Sequence, residues 1–214
     1  IFIDDTHLSD WTSEEHFASL VQLLRAARRK GIQYRLSKCK FFQPAVLLLG
    51  FLCGKHGRSV DPSKAEQLRN WPEYTSCADI TSHLCFANYL REMLGPEFPV
   101  KTKPLRAYSK KGADFKFYAQ DEPAQHGRQW LITRVLEDVV LIVPDWKAAA
   151  TPWISGRPFE AWVDASDLAW CIALCQRRVP LGPPGIIAFV CKSFDDVAQR
   201  WSAFEREYFG FREG

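Results

Sequence analysis

Long apolar runs are missing from this sequence. No hydrophobic stretch approaches the length that a membrane span needs, and no charged start precedes a hydrophobic segment of the kind found in secretory signals. We therefore expect an intracellular protein with no membrane partner.

Cysteine pairs at metal-binding spacing are missing as well. The seven cysteines are odd in number and scattered, with no C-x-x-C pair and no histidine at a partnering distance. This pattern argues against a zinc site, so we expect reduced thiols in the core. The cysteines are Cys39, Cys53, Cys77, Cys85, Cys171, Cys175 and Cys191.

Methionine is nearly absent, since Met93 is the only one and the chain does not begin with Met. We therefore expect the chain to be cut from a longer polypeptide. Its 47% hydrophobic and 14% aromatic content over 214 residues is enough for one or two packed domains, which excludes a disordered tail.

Acidic residues are missing between His16 and Val60, whereas basic residues are frequent there. Such a one-sided stretch suits a phosphate backbone, and it suits a solvated basic face equally well. A second basic segment runs from Lys101 to Lys116, with Asp114 as its only acidic residue. The basic residues of the first stretch are Arg25, Arg28, Arg29, Lys30, Arg35, Lys38, Lys40, Lys55 and Arg58.

The first residues carry the most informative chemical signal. Residues 1–5 are typical of a short apolar strand that ends in two adjacent carboxylates, Asp4 and Asp5. Metal-dependent nucleotidyl transferases present such a pair to Mg²⁺, because hard ions need oxygen ligands. An ordinary acidic turn has the same residues, so the pair by itself leaves both interpretations open.

Local patterns predict the secondary structure. A capping box at Thr12 and a stop at Gly31 predict a helix that buries one face on a sheet. Two further helices are predicted to start after Asp61 and Ser76, and another over 122–138. Strands are predicted over 32–36, 45–49 (buried on both faces), 159–163, 170–176 and 186–191, with a last helix from about 202.

A series of short motifs runs along the chain. They are FIDD (2–5), EEH (14–16), LSKCKFF (36–42), LLGF (48–51), DPSK (61–64), NWP (70–72), LCFANYLR (84–91), VPD (143–145), FEAWVDASD (159–167) and FERE (204–207). In order and approximate spacing, these motifs resemble those of the second half of a gypsy-type long-terminal-repeat retrotransposon reverse transcriptase, continuing into its RNase H domain. The resemblance covers nearly the whole chain, and the ordered set is far more specific than any single motif.

This resemblance implies an α+β fold, with a partial reverse-transcriptase palm and a helical thumb followed by a truncated RNase H-like α/β domain. The implied divisions are 1–60 for the end of the palm, 61–145 for the thumb and connection, 146–158 for a linker, and 159–214 for the start of the RNase H-like domain. The Ala, Pro and Gly content of 146–158 also indicates a linker.

The resemblance also implies site residues. Asp4 and Asp5 would be polymerase carboxylates, and Asp164 and Glu207 would be RNase H carboxylates, with two Mg²⁺ ions in each active site of the intact enzyme. Helical phase and the resemblance favour Glu207 over Glu205. The residues implied in nucleic-acid binding are Arg25, Arg28, Arg29, Lys30, Lys38, Lys40, Leu49 and Gly50.

The implied partners are an RNA template, a DNA primer, an RNA/DNA hybrid and the remainder of the Pol polyprotein, within a retroelement particle in the cytoplasm or nucleus. Gly50 and Gly57 would let the chain turn where a primer backbone comes close. Further carboxylates of both active sites lie outside these residues in the family, so we expect the fragment by itself to be inactive.

Two other functions fit the same residues. The chain could be a non-enzymatic nucleic-acid-binding remnant of a decayed retroelement, or a fragment that only folds. Two departures from the family pattern indicate a divergent element. A bulky Trp170 stands near the catalytic strand, and Gly210 interrupts the last helix at a cost of roughly 1 kcal/mol relative to Ala.

Overall fold

The computed structural model describes residues 6–10, 12–134, 136 and 139–213. The chain forms two compact units, Ile1–Pro44 and Ala45–Gly214. The predicted polymerase carboxylates Asp4 and Asp5 lie outside the described residues. Among the helices of the described ranges, none has both the length and the apolar character that a membrane span requires.

Helix α1 (Ser13–Lys30) lies in the first unit and has the predicted ends. The Thr12 side chain accepts a hydrogen bond from the Glu15 backbone N–H, and the Glu15 carboxylate accepts one from the Thr12 backbone. Gly31 ends the helix with a left-handed φ of 69°, which glycine adopts without strain. The predicted capping box and stop are therefore confirmed.

The described residues of the first unit, 6–10 and 12–44, contain no sheet against which α1 could pack. Only Ala27 of α1 is buried, and Phe17 is 59% exposed, so the predicted burial of one whole helix face is wrong for the described residues. The strand predicted over 32–36 is also wrong, because a 3-10 turn at Leu36–Lys38 follows irregular chain. A strand needs a paired neighbour, and the described part of this unit offers none.

The second unit begins with a small antiparallel sheet whose strands follow one another in space as in sequence. The turn between the first two strands has positive φ at both Leu49 (48°) and Gly50 (72°), which fits a two-residue hairpin turn. The predicted strand over 45–49 is confirmed, but its burial on both faces is wrong, because Leu47 is 54% exposed on an edge strand. The strands are β1 (Ala45–Leu48), β2 (Phe51–Gly54) and β3 (Gly57–Val60).

Six helices follow in the described residues and surround the main core. The Asp61 and Ser76 side chains cap the first two, as predicted. The helix predicted over 122–138 ends earlier, at Thr133. The helices are α2 (Pro62–Arg69), α3 (Cys77–Tyr89), α4 (Arg91–Leu94), α5 (Phe98–Lys101), α6 (Lys103–Ala107) and α7 (Glu122–Thr133). Fully buried core side chains include Leu68, Ile80, Leu90, Leu94, Leu105 and Leu131.

The segment predicted as a linker contains two short helices, α8 (Trp146–Ala150) and α9 (Pro152–Ser155). Asp145 caps α8 and forms an ion pair with Arg157 at 3.0 Å. The buried Gln176 side chain accepts a hydrogen bond from the Asp145 backbone N–H at 2.7 Å. The segment is thus fixed to the strand that carries Gln176.

The chain ends in the predicted order of three strands and a helix. The strands form an antiparallel sheet in sequence order, with a β-bulge between Leu174 and Cys175. Trp170, Ile172, Phe194 and Ala198 form a second buried cluster under the helix. The elements are β4 (Phe159–Ala165), β5 (Ala169–Arg177), β6 (Pro184–Ser193) and α10 (Ala203–Glu213).

Candidate nucleic-acid interface and metal-binding carboxylates

Asp164 stands near the end of β4, just before a tight turn into β5. The turn is closed by Ser166, whose backbone N–H donates to the Ala169 carbonyl at 2.8 Å and whose hydroxyl accepts from the backbone of Leu168 at 3.2 Å. The Asp164 side chain is exposed, and it has no hydrogen bond or ion pair within the described residues. Its carboxylate oxygens are therefore free to bind a ligand.

Glu207 and Glu205 have different environments on α10. Glu205 completes a capping box, because its carboxylate accepts from the Ser202 backbone N–H and hydroxyl at 2.8 Å each. These hydrogen bonds lower the pKa of Glu205, the backbone bond most strongly. Glu207 is exposed and has no such partner in the described chain. The helix cap thus occupies Glu205 and leaves Glu207 as the free carboxylate, which favours the predicted choice.

Arg206 connects α10 to the turn that follows Asp164. Its guanidinium lies 2.6 Å from the Asp167 carboxylate and also donates to the Gln199 carbonyl at 3.4 Å. The Arg206 side chain is only 13% exposed, whereas that of Asp167 is 82% exposed. The sequence analysis did not predict this ion pair. Its only sign in the sequence is that Arg206 lies between Glu205 and Glu207.

Asp164 and Glu207 lie on packed elements but do not contact each other. A Cβ atom at Gly210 of α10 would lie 3.3 Å from the Val163 side chain and 3.4 Å from that of Trp170, so α10 packs on the face that Val163 presents. Neighbouring strand residues point to opposite faces, which places Asp164 on the other face. Within the described residues, no group of three His, Cys, Asp or Glu side chains could hold a metal ion.

A disulfide near Asp164 shows that the prediction of reduced cysteines is wrong for two of them. In the sheet register Asp164 lies opposite Cys171, which lies opposite Cys191. Cys171 and Cys191 are joined as a disulfide, so the prediction of seven reduced thiols is wrong for this pair. Their direct pairing across adjacent strands, with Cα atoms 4.1 Å apart, brings the sulfurs together, which sequence spacing does not reveal. Of the free cysteines, only Cys175 is buried.

The predicted basic residues of the first unit are accessible. All six have exposed side chains, and none has a carboxylate partner among the described residues. Those in the last turn of α1 also interact favourably with the helix dipole, a structural role that is compatible with phosphate binding. The six are Arg25, Arg28, Arg29, Lys30, Lys38 and Lys40.

The turn at Leu49 and Gly50 is held by a helix residue. The Tyr89 hydroxyl, at the end of α3, donates to the Leu49 carbonyl, and a Cβ at Gly50 would lie 2.6 Å from that hydroxyl. Gly57, which is also expected to lie near a primer backbone, has a close neighbour within the chain. A Cβ there would lie 2.1 Å from the Leu141 carbonyl oxygen, so the chain itself makes the close approach.

No protein-family model matches this chain. The chain is 22% identical over 212 residues to the retrovirus-related Pol polyprotein from transposon opus of Drosophila melanogaster, covering 97% of this chain and 20% of that protein. It is 23% identical over 200 residues to the Gag-Pol polyprotein of avian reticuloendotheliosis virus, covering 94% of this chain and 16% of that protein. The chain thus spans a fifth or less of the length of these relatives. The predicted resemblance to Pol polyproteins of retroelements is confirmed.

Solved structures share the fold. The foamy viral protease-reverse transcriptase dRH in complex with double-stranded DNA superposes with a TM-score of 0.75 at 16% identity, over 96% of this chain and 34% of that one. The foamy viral protease-reverse transcriptase in complex with an RNA/DNA hybrid gives 0.73 at 18% identity, over 96% and 26%. The mixed helix and sheet fold therefore resembles that of viral reverse transcriptases.

Proposed function

We propose that the chain is the part of a retroelement RNA-directed DNA polymerase and RNase H that contains the end of the palm, the thumb and connection, and the start of the RNase H-like domain. The observation that carries this proposal is the likeness to Pol polyproteins and reverse transcriptases over nearly the whole chain. We propose the divisions 1–60, 61–145, 146–158 and 159–214 for these parts, on the order of the motifs in the sequence.

We propose RNA/DNA hybrid as the ligand, together with RNA template and DNA primer. The foamy viral protease-reverse transcriptases that share this fold were solved in complex with double-stranded DNA and with an RNA/DNA hybrid. In this chain the support is the set of exposed, unpaired cations on and after α1 and the structured turn at Leu49 and Gly50. As part of a Pol polyprotein, the chain would act in the cytoplasm or nucleus.

The carboxylates have the donor chemistry that Mg²⁺ prefers, but Asp164 and Glu207 do not converge on one position in this structure. Each offers exposed, unpaired oxygens, and Asp4 and Asp5 offer the same chemistry for the polymerase site. Bound Mg²⁺ ions would stabilise the attacking and leaving oxygens of an in-line phosphoryl displacement. Arg206, through Asp167, would fix the helix that bears Glu207 to the turn that follows Asp164.

Among the described residues no three possible metal ligands cluster at the proposed RNase H site. We therefore propose that this polypeptide binds nucleic acid without turnover. In the presence of Mg²⁺ it should neither extend a DNA primer on an RNA template nor cleave an RNA/DNA hybrid. Hybrid cleavage above that of an Asp164→Asn variant, or primer extension above that of an Asp5→Asn variant, would contradict this part of the proposal.

Binding is the experiment that tests the proposed function. Fluorescence anisotropy with a labelled RNA/DNA hybrid, repeated over a series of salt concentrations, should give an affinity that falls steeply as salt rises. Each phosphate neutralised by the protein contributes a slope of about −0.9 on the logarithmic scale for duplex DNA. Undetectable binding, or binding that salt does not weaken, would argue against any nucleic-acid function.

A further inference from the structure

A cavity of about 460 Å³ lies between α7, the segment that joins α2 to α3, and a 3-10 helix over Phe115–Gln120. Arg128 of α7 lines it, together with Glu73 and Tyr74 of the joining segment. We call it the Arg128 pocket. Its lining contains none of the predicted site residues that the structure describes. Pockets that hold small molecules have volumes of roughly 300–1,000 Å³, so the Arg128 pocket is large enough for one.

The walls of the Arg128 pocket are aromatic and fixed in place. The Tyr118 ring stacks on Phe115 with the centroids 5.5 Å apart, and it meets the Tyr74 ring edge to face at the same distance. Tyr74 is buried, and its hydroxyl lies 2.6 Å from Nδ1 of the buried His83. Contacts of this kind hold aromatic rings in one arrangement. The pocket thus offers a preformed surface for a planar apolar group.

Arg128 places a buried positive charge at the aromatic wall. Its side chain is 11% exposed, and its guanidinium carbon lies 5.3 Å from the centroid of the Tyr74 ring. Nη2 donates to the Trp71 carbonyl at 3.2 Å and lies 3.0 Å from the Glu73 carboxylate. Nε is buried without a hydrogen-bond partner, and Nη1 has none among the described residues. The protein therefore fixes this guanidinium but leaves donors unused.

The carboxylate that pairs with Arg128 comes from the solvent side. The Glu73 side chain is 83% exposed. An exposed carboxylate contributes little to such a pair, because water screens the charges and the side chain loses freedom when it is held. A ligand carboxylate inside the pocket would be screened less and could accept two parallel hydrogen bonds from Nη1 and Nη2 of Arg128. Glu73 would then return to solvent at small cost.

The other polar groups of the lining do not compete for an anion. Lys116 pairs with Asp114 at 2.6 Å, and both side chains are exposed. Burial raises the pKa of Tyr74 and that of Tyr118, so both phenols are neutral near pH 7. The Gln125 side chain donates to the Tyr118 carbonyl at 3.2 Å and so holds the 3-10 helix against α7. Arg128 is thus the group that selects the charge of a ligand.

We propose that the Arg128 pocket binds a planar aromatic carboxylate. The ring of this ligand lies against Phe115, Tyr118 and Tyr74. Its carboxylate takes the place of Glu73 on the Arg128 guanidinium. The inference goes beyond the proposed function and does not depend on it, because it concerns a small-molecule site with a lining of its own.

Calorimetric titration of the full 214-residue chain with two probes tests the proposal. The probes are 2-naphthoate and 2-naphthamide, which share the ring and nearly the same shape, but only the first is charged. 2-Naphthoate should bind with a dissociation constant of roughly 0.1–1 mM, as expected for a ligand of its size. 2-Naphthamide should bind at least roughly tenfold more weakly, because it lacks the charge-assisted hydrogen bonds. Equal affinities, or no binding of 2-naphthoate at several millimolar, would overturn the proposal.

Two variants and two matched controls locate the site. Arg128→Met should weaken 2-naphthoate at least roughly tenfold and affect 2-naphthamide much less. Glu73→Gln should strengthen 2-naphthoate by up to about fivefold, because it removes the competing carboxylate. The controls are Arg58→Met and Glu92→Gln, since Arg58 also pairs with a glutamate and lies over an aromatic ring, that of Phe51, but is not part of the lining. Both controls should keep the wild-type affinities.

Circular dichroism and urea unfolding establish which variants fold like the wild type. If Arg128→Met does not, the exposed Glu73→Gln decides, because a purely structural Glu73 would not raise the affinity for 2-naphthoate when replaced. Unchanged or weaker binding by Glu73→Gln, or an equal change in a control, would overturn the proposal. Backbone amide shifts give a second readout, since 2-naphthoate should move the signals of Ala119 and Gln129 in the lining. Shifts confined to residues outside the lining would also overturn it, whereas hybrid binding tests the proposed function separately.

Discussion

The Arg206 guanidinium lies 2.6 Å from the Asp167 carboxylate, so the helix that bears Glu207 is tied to the turn that follows Asp164. Removal of Asp167 by Asp167→Asn should cost less than about 1 kcal/mol, because that carboxylate is exposed and solvent screens the pair. Arg206→Met should cost roughly 1–3 kcal/mol, because the buried arginine also donates to the Gln199 carbonyl.

Urea unfolding measures these two changes, and Arg212→Gln is the control for loss of an exposed arginine. Arg212 pairs with Glu213 at 61% exposure, so its loss should change stability by less than about 0.5 kcal/mol. Equal effects of Arg206→Met and Arg212→Gln would show that Arg206 does not anchor α10.

Gly210 and Val163 form a close packing pair. A Cβ atom at Gly210 would lie 3.3 Å from Cγ1 of Val163 and 3.4 Å from Cβ of Trp170, so α10 packs closely on β4 and β5. Gly210→Ala should gain up to about 1 kcal/mol of helix propensity but lose a similar amount to crowding. In a Val163→Ala background the nearest atom is removed, and Gly210→Ala should stabilise by about 1 kcal/mol.

A double-mutant cycle in urea checks this coupling, which should exceed about 0.5 kcal/mol. Additive effects of the two substitutions would mean that Val163 and Gly210 are energetically independent, and the close packing of α10 on β4 would then not limit the side chain at position 210.

His83 should make the fold sensitive to acid. The side chain is buried, its Nδ1 lies 2.6 Å from the Tyr74 hydroxyl, and burial, reinforced by the Arg128 charge, lowers its pKa to about 4. An unfolded histidine titrates near 6.5, so protonation favours the unfolded state as the pH falls below about 6.5. Stability present at pH 7 should fall by roughly 3 kcal/mol between about pH 6.5 and pH 4.

Carboxylates also titrate in this range, so the measurement is the difference between wild type and His83→Gln, which keeps an acceptor for Tyr74 but does not titrate. Urea midpoints from pH 7 to pH 4 should fall less steeply for His83→Gln than for the wild type. The exposed His126, replaced by Gln, should leave the wild-type slope unchanged. A His83→Gln slope equal to that of the wild type would contradict the buried, neutral state of His83.

Gly50 should tolerate a side chain poorly. Gly50→Ala combines a positive φ of 72° with a clash against the Tyr89 hydroxyl, and it should cost about 2 kcal/mol and break the hydrogen bond to Leu49. Gly112→Ala is the matched control, because Gly112 also has a positive φ, 85°, but nothing lies within 4 Å of its Cβ position. Urea unfolding should give a smaller loss for Gly112→Ala, and equal losses would exclude a role for Tyr89.

Local signals predicted much of this fold. Thr12, Asp61 and Ser76 cap their helices by hydrogen bonds to residues two or three positions away, so the sequence window contains the whole interaction. The prediction of a strand over 32–36 is wrong because a strand needs hydrogen bonds to a neighbouring strand, and the sequence of that segment alone does not show whether one is present. The close contact of Gly57 with Leu141 was not predicted for the same reason, since the two residues are distant in sequence.

In the candidate site, too, local features were predicted from the sequence and contacts between distant residues were not. The resemblance of the motifs, in their family order, predicted Asp164 and Glu207 as RNase H carboxylates, and their catalytic role stays a prediction. The structure places Asp164 near the end of β4 and Glu207 on α10. The ion pair between Arg206 and Asp167 and the disulfide between Cys171 and Cys191 arise only when α10 and β6 pack against β4 and β5. No pattern in a single segment encodes such contacts.

Hydrogen exchange of the chain with and without an RNA/DNA hybrid tests most directly whether this is a nucleic-acid-binding part of a reverse transcriptase. We expect the hybrid to protect the backbone around 25–40, 49–50, 103–110 and 164–168, and to leave α8 and α9 unchanged. Protection confined to α8 and α9, or no protection at a hybrid concentration well above that of the protein, would contradict this function.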